Sequence, residues 1–329
     1  MLSRLGGAIM IHTKACEIFG IMHPVVLAGM GGGANPALVA AVSEVGGLGI
    51  LACTWATPDD IRAQVADIRA RTSRPFGVNF VLDQVAPEKL DAAIEERVPV
   101  ISLFRGTDPT DIVARARAAG LVTTLQVTTM DEARTALAAG VDVVIVQGRE
   151  GGGHMGPHPL WTLLPQVVAI AGATPVLASG ALVSGRDLAA ALAMGASGVH
   201  MGTRFLASVE APISDQFKAA ILAARDGDTV ASKMWDLLWG QEWSGMMARA
   251  LRNDLTLRWA GREGELAASL GPARAEFAAA KAAGDHSRLN MLAGEGSARI
   301  DSILPAAEIV RSVVAEAEAA LREAAALIR

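Results

Sequence analysis

The residues best suited to chemistry gather where Val143-Val144-Ile145-Val146-Gln147 runs into Gly148-Arg149-Glu150-Gly151-Gly152-Gly153-His154-Met155-Gly156. An apolar strand of the buried type feeds a loop with five glycines in nine positions. Bare glycine backbone comes close to a flat or anionic ligand where side chains would collide. His154 ends that surface with a proton-transfer group. Gly152 and Gly153 are therefore candidates for a ligand floor, and His154 for its catalytic residue. A tight turn with a solvated or capping histidine is the competing reading of the same residues.

Other loops favour the ligand site. Pro175-Val176-Leu177-Ala178-Ser179-Gly180-Ala181 and Gly198-Val199-His200-Met201-Gly202-Thr203-Arg204 each end an apolar run in small residues. Free backbone N–H groups at the start of a helix, with the Thr203 hydroxyl as a further donor, make an anion site without a large cationic patch. Gly29-Met30-Gly31-Gly32-Gly33-Ala34 formally satisfies the dinucleotide fingerprint. That fingerprint also needs an acidic residue at the end of the second strand. Here the second strand ends Ile50-Leu51-Ala52-Cys53-Thr54, and Asp59 is the first carboxylate after it. A glycine-rich loop that admits an isoalloxazine ring explains the same residues.

Several chemistries are not supported. Cys16 and Cys53 are too isolated for a disulfide framework or a zinc site. His154 and His158 are four apart, but Pro157 and the glycines deny them the helix face a zinc pair needs, so no metal is expected. No Gly-x-Ser-x-Gly elbow occurs, and the absence of Tyr removes any tyrosine proton donor. His158, held between Pro157 and Pro159, is a weaker candidate for substrate contact. His200 lies inside an apolar run and reads as a hydrogen-bonded core histidine.

The elements that must position these groups alternate regularly. Eight short apolar runs read as strands: Pro24 to Met30, Leu48 to Cys53, Phe76 to Phe80, Val98 to Phe104, Val122 to Val127, Val143 to Gln147, Pro175 to Ser179 and Gly198 to Met201. Between them lie amphipathic, Ala-rich runs, several opening with Pro or Asp and closing with Gly, which are helix start and stop signals. Serial strand–helix units of this number predict an α/β fold, the (β/α)8 TIM barrel, with its site at the strand C-termini. Asn79, Gln126, Gln147 and the glycine loops all fall at that end. After Phe205 the pattern shifts to longer, more polar helical segments bearing Trp235, Trp239, Trp243 and Trp259. They predict an inserted helical subdomain near the C-terminus. The expected division is a barrel over 1–212, a substrate or lid subdomain over 213–290, and a return segment with a C-terminal helix over 291–329.

Hydrophobic residues make up 51% of the 329 and charged residues 19%, a composition that excludes disorder. The net charge of -5 and scattered basic residues argue against a nucleic-acid partner. No apolar run reaches the roughly 18 residues needed to cross a bilayer, and Met1 to Met10 lacks the pattern of a secretory signal. A cytoplasmic protein acting on a small molecule is expected, with no membrane partner.

In combination and in order, Gly77-Val78-Asn79-Phe80, Gln147-Gly148 through Gly153-His154, Ala178-Ser179-Gly180, Met201-Gly202-Thr203-Arg204-Phe205-Leu206 and Pro305-Ala306-Ala307-Glu308-Ile309-Val310 resemble the nitronate monooxygenase family, formerly called 2-nitropropane dioxygenases. The resemblance covers nearly the whole chain. It implies FMN across the barrel mouth, its phosphate held by Ser179, Gly180, Ala181, Gly202 and Thr203. Asn79, Gln126 and Gln147 would contact the ring or ribityl chain. Gly29, Met30, Gly31, Gly152 and Gly153 would pack against the flavin, and His154 would face its reactive edge.

The implied reaction is oxidation of alkyl nitronates, or nitroalkanes, by O2 to carbonyl compounds and nitrite. The alternative within the same superfamily is an NAD(P)H-dependent reductase of quinones or of enoyl-acyl-carrier-protein. That reaction needs a second surface for the nicotinamide and, in its acyl-carrier version, a long apolar channel, for which Met246, Met247 and the tryptophans are candidates, although core packing is the plainer role for them. A homodimer is the candidate assembly. Two departures from the family pattern stand out. Ala181 replaces the second glycine of the usual Ser-Gly-Gly, and the tyrosines that line the substrate cavity in the best-known class are missing.

Overall fold

A computed structural model describes residues 2–5 and 8–328. An antiparallel pair, β1 (Leu2–Leu5) and β2 (Ala8–Ile11), precedes a short helix α1 (Lys14–Phe19). The strands then run β3 (Val25–Leu27), β4 (Gly49–Ala52), β5 (Phe76–Val81), β6 (Val100–Phe104), β7 (Val122–Val127), β8 (Val143–Gln147), β9 (Gly153–Met155), β10 (Val176–Ser179), β11 (Gly198–Met201), β12 (Thr229–Ser232) and β13 (Met247–Leu251).

β3 to β8 with β10 and β11 form one parallel sheet of eight strands, and a parallel bridge between Val26 and Leu48 joins its two ends into a barrel. The TIM barrel read from the alternating pattern is therefore the fold. The first strand is shorter than expected, because the chain leaves the ladder after Leu27 and turns through Gly29–Gly33.

The helices on the outside start where local chemistry says they should. α2 (Pro36–Glu44) has Pro at its first position and Asn35 accepting from the Leu38 N–H at 2.8 Å. α3 (Pro58–Arg71) opens on a Thr57–Asp60 capping box. α6 (Met130–Ala139) is capped by Thr129 and stopped by a left-handed Gly140. α4 (Pro87–Glu95), α5 (Thr110–Ala118), α7 (Leu160–Ala171) and α8 (Gly185–Ala193) complete the series. Fixed φ at an N-terminal Pro and side-chain acceptors for orphan N–H groups make these starts self-specifying.

Two cores result. Strand residues facing outward, such as Val25, Leu51, Val78 and Val144, pack under the helices. Those facing inward, among them Val26, Ile50, Val100 and Ile145, meet Cys16 and Phe19 of α1, which plugs the N-terminal end of the barrel. Binding is thereby left to the C-terminal end.

After β11 come α9 (Thr203–Leu206) and α10 (Asp215–Ala223), then β12, α11 (Met234–Trp239), β13, α12 (Asp254–Trp259), α13 (Glu263–Ala268) and α14 (Leu270–Ala283). The expected helices are there. The segment also contributes two strands that join β9 in an antiparallel sheet ordered β12-β13-β9. His154 is thus on a strand, paired with Ala248, and not on a free loop. α15 (Ala306–Ala325) returns to the barrel beside α8, where an added Cβ at Gly185 would lie 2.2 Å from the Val313 carbonyl oxygen. No described helix is long and apolar enough to cross a membrane.

Candidate active site

At the C-terminal end of the barrel lies a cavity of about 350 Å³. Its wall includes Gly29, Met30 and Gly31 after β3, Asn79 at β5, Gln126 at β7, Gln147 at β8, and Gly152, Gly153 and His154. Ser179, Gly180 and Ala181 after β10, and Gly202 and Thr203 after β11, complete the set. His154 and every residue expected to touch the cofactor are brought to this one cavity; His158, the weaker candidate, is not. Parallel strands deliver their C-terminal residues to the same rim, so a set spread over 175 positions of chain converges without any special device.

The small residues serve packing as well as access. A Cβ on Gly152 would lie 2.6 Å from the Gly294 nitrogen, so the 293–294 backbone can cross directly over the glycine loop. Gly153 has φ +70, a left-handed conformation that favours glycine. Ala181 holds φ +54, a left-handed conformation that favours glycine, with a methyl group attached.

Polar groups are aimed into the cavity. Gln147 is 6% exposed and its Oε1 has no hydrogen-bond partner among the described residues, which leaves a buried acceptor at the wall. Such an orphan is costly unless a ligand donor reaches it. Asn79 Nδ2 donates to the Ser102 carbonyl at 3.2 Å, which fixes its amide plane. Thr203 Oγ1 accepts from the Gly294 N–H at 3.0 Å and keeps its own O–H to donate. α9 starts at Thr203 with no side-chain cap. Under the 179–181 loop, Ser179 Oγ and His200 Nδ1 are 3.0 Å apart. Burial pushes His200 down to about 4, so its imidazole is neutral, a hydrogen-bonded core histidine that also touches the cavity.

His154 is the titratable group beside the glycine floor. Its Nε2 is 2.7 Å from Asp236 Oδ1, and the two side chains are 9% and 6% exposed. One ring face lies on Trp243, with centroids 4.0 Å apart at 17°. Trp239 meets the ring edge-on at 5.8 Å. Trp243 also stacks against Phe104 and carries the Arg105 guanidinium 5.3 Å from its centroid.

Asp236 did not emerge from the sequence as a site residue, and Trp239 and Trp243 emerged only as channel candidates or core residues, not as partners of His154. The one available signal was a carboxylate inside the apolar run Met234-Trp235-Asp236-Leu237-Leu238-Trp239. The tryptophans and Met246 do not line the cavity as a channel. Trp235, Trp243, Trp259 and Met246 are buried in side-chain clusters, while Met247 is exposed.

Cys53 sits at the end of β4 in apolar surroundings that push its thiol up to about 12, so it offers no nucleophile. His158 stays apart from the cavity.

Comparison with known proteins identifies the family. A (3aS,4S,5R,7aS)-5-hydroxy-7a-methyl-1-oxo-octahydro-1H-indene-4-carboxyl-CoA dehydrogenase of Rhodococcus jostii (strain RHA1) is 41% identical over 246 residues, covering 74% of this chain and 67% of its own. A probable nitronate monooxygenase of Staphylococcus aureus (strain Newman) is 29% identical over 92% of this chain and 96% of its own.

Among solved structures, FabK from Thermotoga maritima superposes with a TM-score of 0.85 at 33% identity, over 97% of this chain and 100% of that one. Nitroalkane oxidase from Streptomyces ansochromogenes does so with a TM-score of 0.80 at 31% identity, over 95% and 100%. The profile of the nitronate monooxygenase family matches residues 12–89 and 85–316. With the barrel, the glycine loops and the cavity histidine in place, the chain belongs to the nitronate monooxygenase family and is an oxidoreductase.

Proposed function

We propose that this protein is an FMN-dependent nitronate monooxygenase that oxidises alkyl nitronates with O2 to carbonyl compounds and nitrite. The observation that carries the reading is the pairing, in one cavity, of a buried acceptor on Gln147 with the Nδ1 of the His154 imidazole, both without a hydrogen-bond partner among the described residues. The residues fit FMN. Gln147 Oε1 suits the N–H edge of a flavin ring, the bare backbone at Gly29, Gly31 and Gly152 admits a flat ring, and Ser179 to Ala181 with Gly202 and Thr203 suit its phosphate.

FMN, when bound, supplies the electron-transfer chemistry that leads to dioxygen. The chain's own residues bind, orient and move a proton. His154 takes a proton from the carbon beside a nitro group, or holds an anionic nitronate by hydrogen bonding. The wall that Trp243, Trp239 and Phe104 build behind His154 keeps water from that ring.

A second reading, dehydrogenation or reduction of an acyl thioester, is favoured by the 41% identical CoA dehydrogenase and by an apolar arm of the cavity along Leu206, Ile213, Phe217 and Leu292. Anaerobic mixing of the purified protein with an alkyl nitronate, NADH, NADPH or an acyl-CoA separates the two. Bleaching of the yellow colour by the nitronate, with nitrite released once air is admitted, is the expected result. Bleaching by nicotinamide or acyl-CoA alone transfers the assignment to the second reading, and a colourless protein that takes up no FMN ends both.

A further inference from the structure

We propose that Asp236 is the positioning residue of His154: its carboxylate holds the imidazole as the Nε2–H tautomer and leaves Nδ1 as the proton acceptor at the cavity. This rests on the reading of His154 as the acid–base group. It concerns a residue of the insert, 82 positions away in the chain.

Three observations converge on it. The Nε2 to Oδ1 distance of 2.7 Å is that of a strong, charge-assisted hydrogen bond. A carboxylate only accepts, so a neutral ring must place its hydrogen on Nε2. Nδ1 has no hydrogen-bond partner among the described residues and is not fully enclosed, and His154 lines the cavity, so Nδ1 is the ring nitrogen left for a ligand there.

Both partners are held independently. Pairing of β9 with β13 fixes the His154 backbone, and the fully buried Met234 and Trp235 anchor the first turn of α11 beneath Asp236. Trp243 and Trp239 then leave the ring little freedom to turn.

Asp236 is a poor choice for stability alone. It is 4% exposed and Oδ2 accepts no hydrogen bond among the described residues, while Lys233 Nζ, itself donating to the Trp243 carbonyl, stays 4.0 Å from it. Arg105 lies over the Trp243 ring, 5.3 Å from its centroid, and donates to the Ser244 carbonyl, not to Asp236. A half-satisfied buried carboxylate is disfavoured relative to an apolar residue of similar size. Its benefit is orientation of the imidazole, the role a carboxylate plays behind histidine in hydrolytic triads.

The test combines tautomer and turnover. Two-dimensional 15N–1H spectra of the holoenzyme, with the His154 signals identified by their loss in His154→Ala, are expected to show Nε2–H in the wild type and a mixed or Nδ1–H ring in Asp236→Asn. With a nitronate donor, kcat of Asp236→Asn is expected to fall about a hundredfold or more, with KM little changed and the pH profile of kcat displaced. Asp236→Glu should restore part of the rate, and the melting midpoint of Asp236→Asn or Asp236→Leu should stay at or above that of the wild type. An Nδ1–H ring in the wild type, or an Asp236→Asn protein with unchanged tautomer and kcat, overturns the proposal. So does a loss of rate tracked by a lowered melting midpoint in both variants. If the wild type turns over no donor, the functional reading fails, while the spectra still decide the tautomer.

Discussion

His154 and Trp243 lie face to face, with ring centroids 4.0 Å apart and planes 17° from parallel. The indole comes from the turn between α11 and β13, which is bracketed by Gly240 at φ +69 and Gly245 at φ +72. The imidazole proposed as the proton-transfer group therefore lies between the cavity and a side chain of the insert. Stacking of this kind contributes about 0.5–1.5 kcal/mol beyond the area it buries. Trp243→Phe is expected to keep most of the turnover, and Trp243→Ala to lose about tenfold or more. Steady-state kinetics with a nitronate checks this, and equal rates in all three proteins would show that the stack has no part in orientation.

Replacing the imidazole itself separates binding from chemistry. His154→Ala is expected to retain the yellow spectrum and lose about 10²- to 10⁴-fold in turnover. It should also melt earlier, because Asp236 is left buried without its partner. Full activity in this variant would make His154 structural.

Two glycines distinguish ligand contact from packing. A Cβ on Gly31 would meet only the ring of Trp55, at 3.0 Å, and that side chain is 61% exposed and free to give way. Gly31→Ala should therefore fold normally yet bind FMN more weakly. A Cβ on Gly152 would strike backbone at 2.6 Å, so Gly152→Ala should lower both the melting midpoint and FMN affinity. Flavin titrations alongside thermal melts report the two effects, and unaltered FMN affinity in Gly31→Ala would place the ring elsewhere.

Ala181 sits in a left-handed conformation at φ +54. The backbone strain of a methyl group there outweighs the extra freedom glycine has when unfolded, so Ala181→Gly should be more stable by up to about 1 kcal/mol. Denaturant unfolding measures it. A destabilised variant would mean that the methyl group packs favourably enough to offset its strain.

His200 gives the fold a dependence on acid. Its folded value of about 4 lies below the ordinary 6.5, so between those pH values the unfolded chain binds a proton that the native state refuses. Stability is fully present above the unfolded value and is lost as pH falls from 6.5 toward 4, by about 3 kcal/mol from this group. The difference between wild type and His200→Gln, measured by denaturant unfolding from pH 7 to pH 4, should shrink or reverse across that window. A constant difference would show that His200 is not the group responsible.

Much of this molecule is written locally. Alternation of apolar strands with capped amphipathic helices is set by side-chain periods of two and 3.6 residues, which each segment carries by itself. Val122 to Val127 and Val143 to Gln147 were legible to the residue, and the helix starts at Pro36, Pro58 and Pro87 followed from proline, with capping Asn35 and Thr57 at the first two. Convergence of Gly29, Asn79, Gln147, Ser179 and Thr203 on one cavity then follows from parallel topology, since every strand ends on the same rim.

The insert is different. Thr229–Ser232 and Met247–Leu251 are short strands, and Met247-Ala248-Arg249-Ala250-Leu251 includes two alanines, so neither shows a strong strand pattern of its own. They are strands because β13 finds β9, far away in the chain. That pairing brings α11 over the glycine loop and sets Asp236 against His154. Sequence alone determined the barrel, its rim and the imidazole. Only the tertiary structure decided which carboxylate and which indole hold that imidazole, because contacts between distant segments depend on how whole elements pack and not on any period within them.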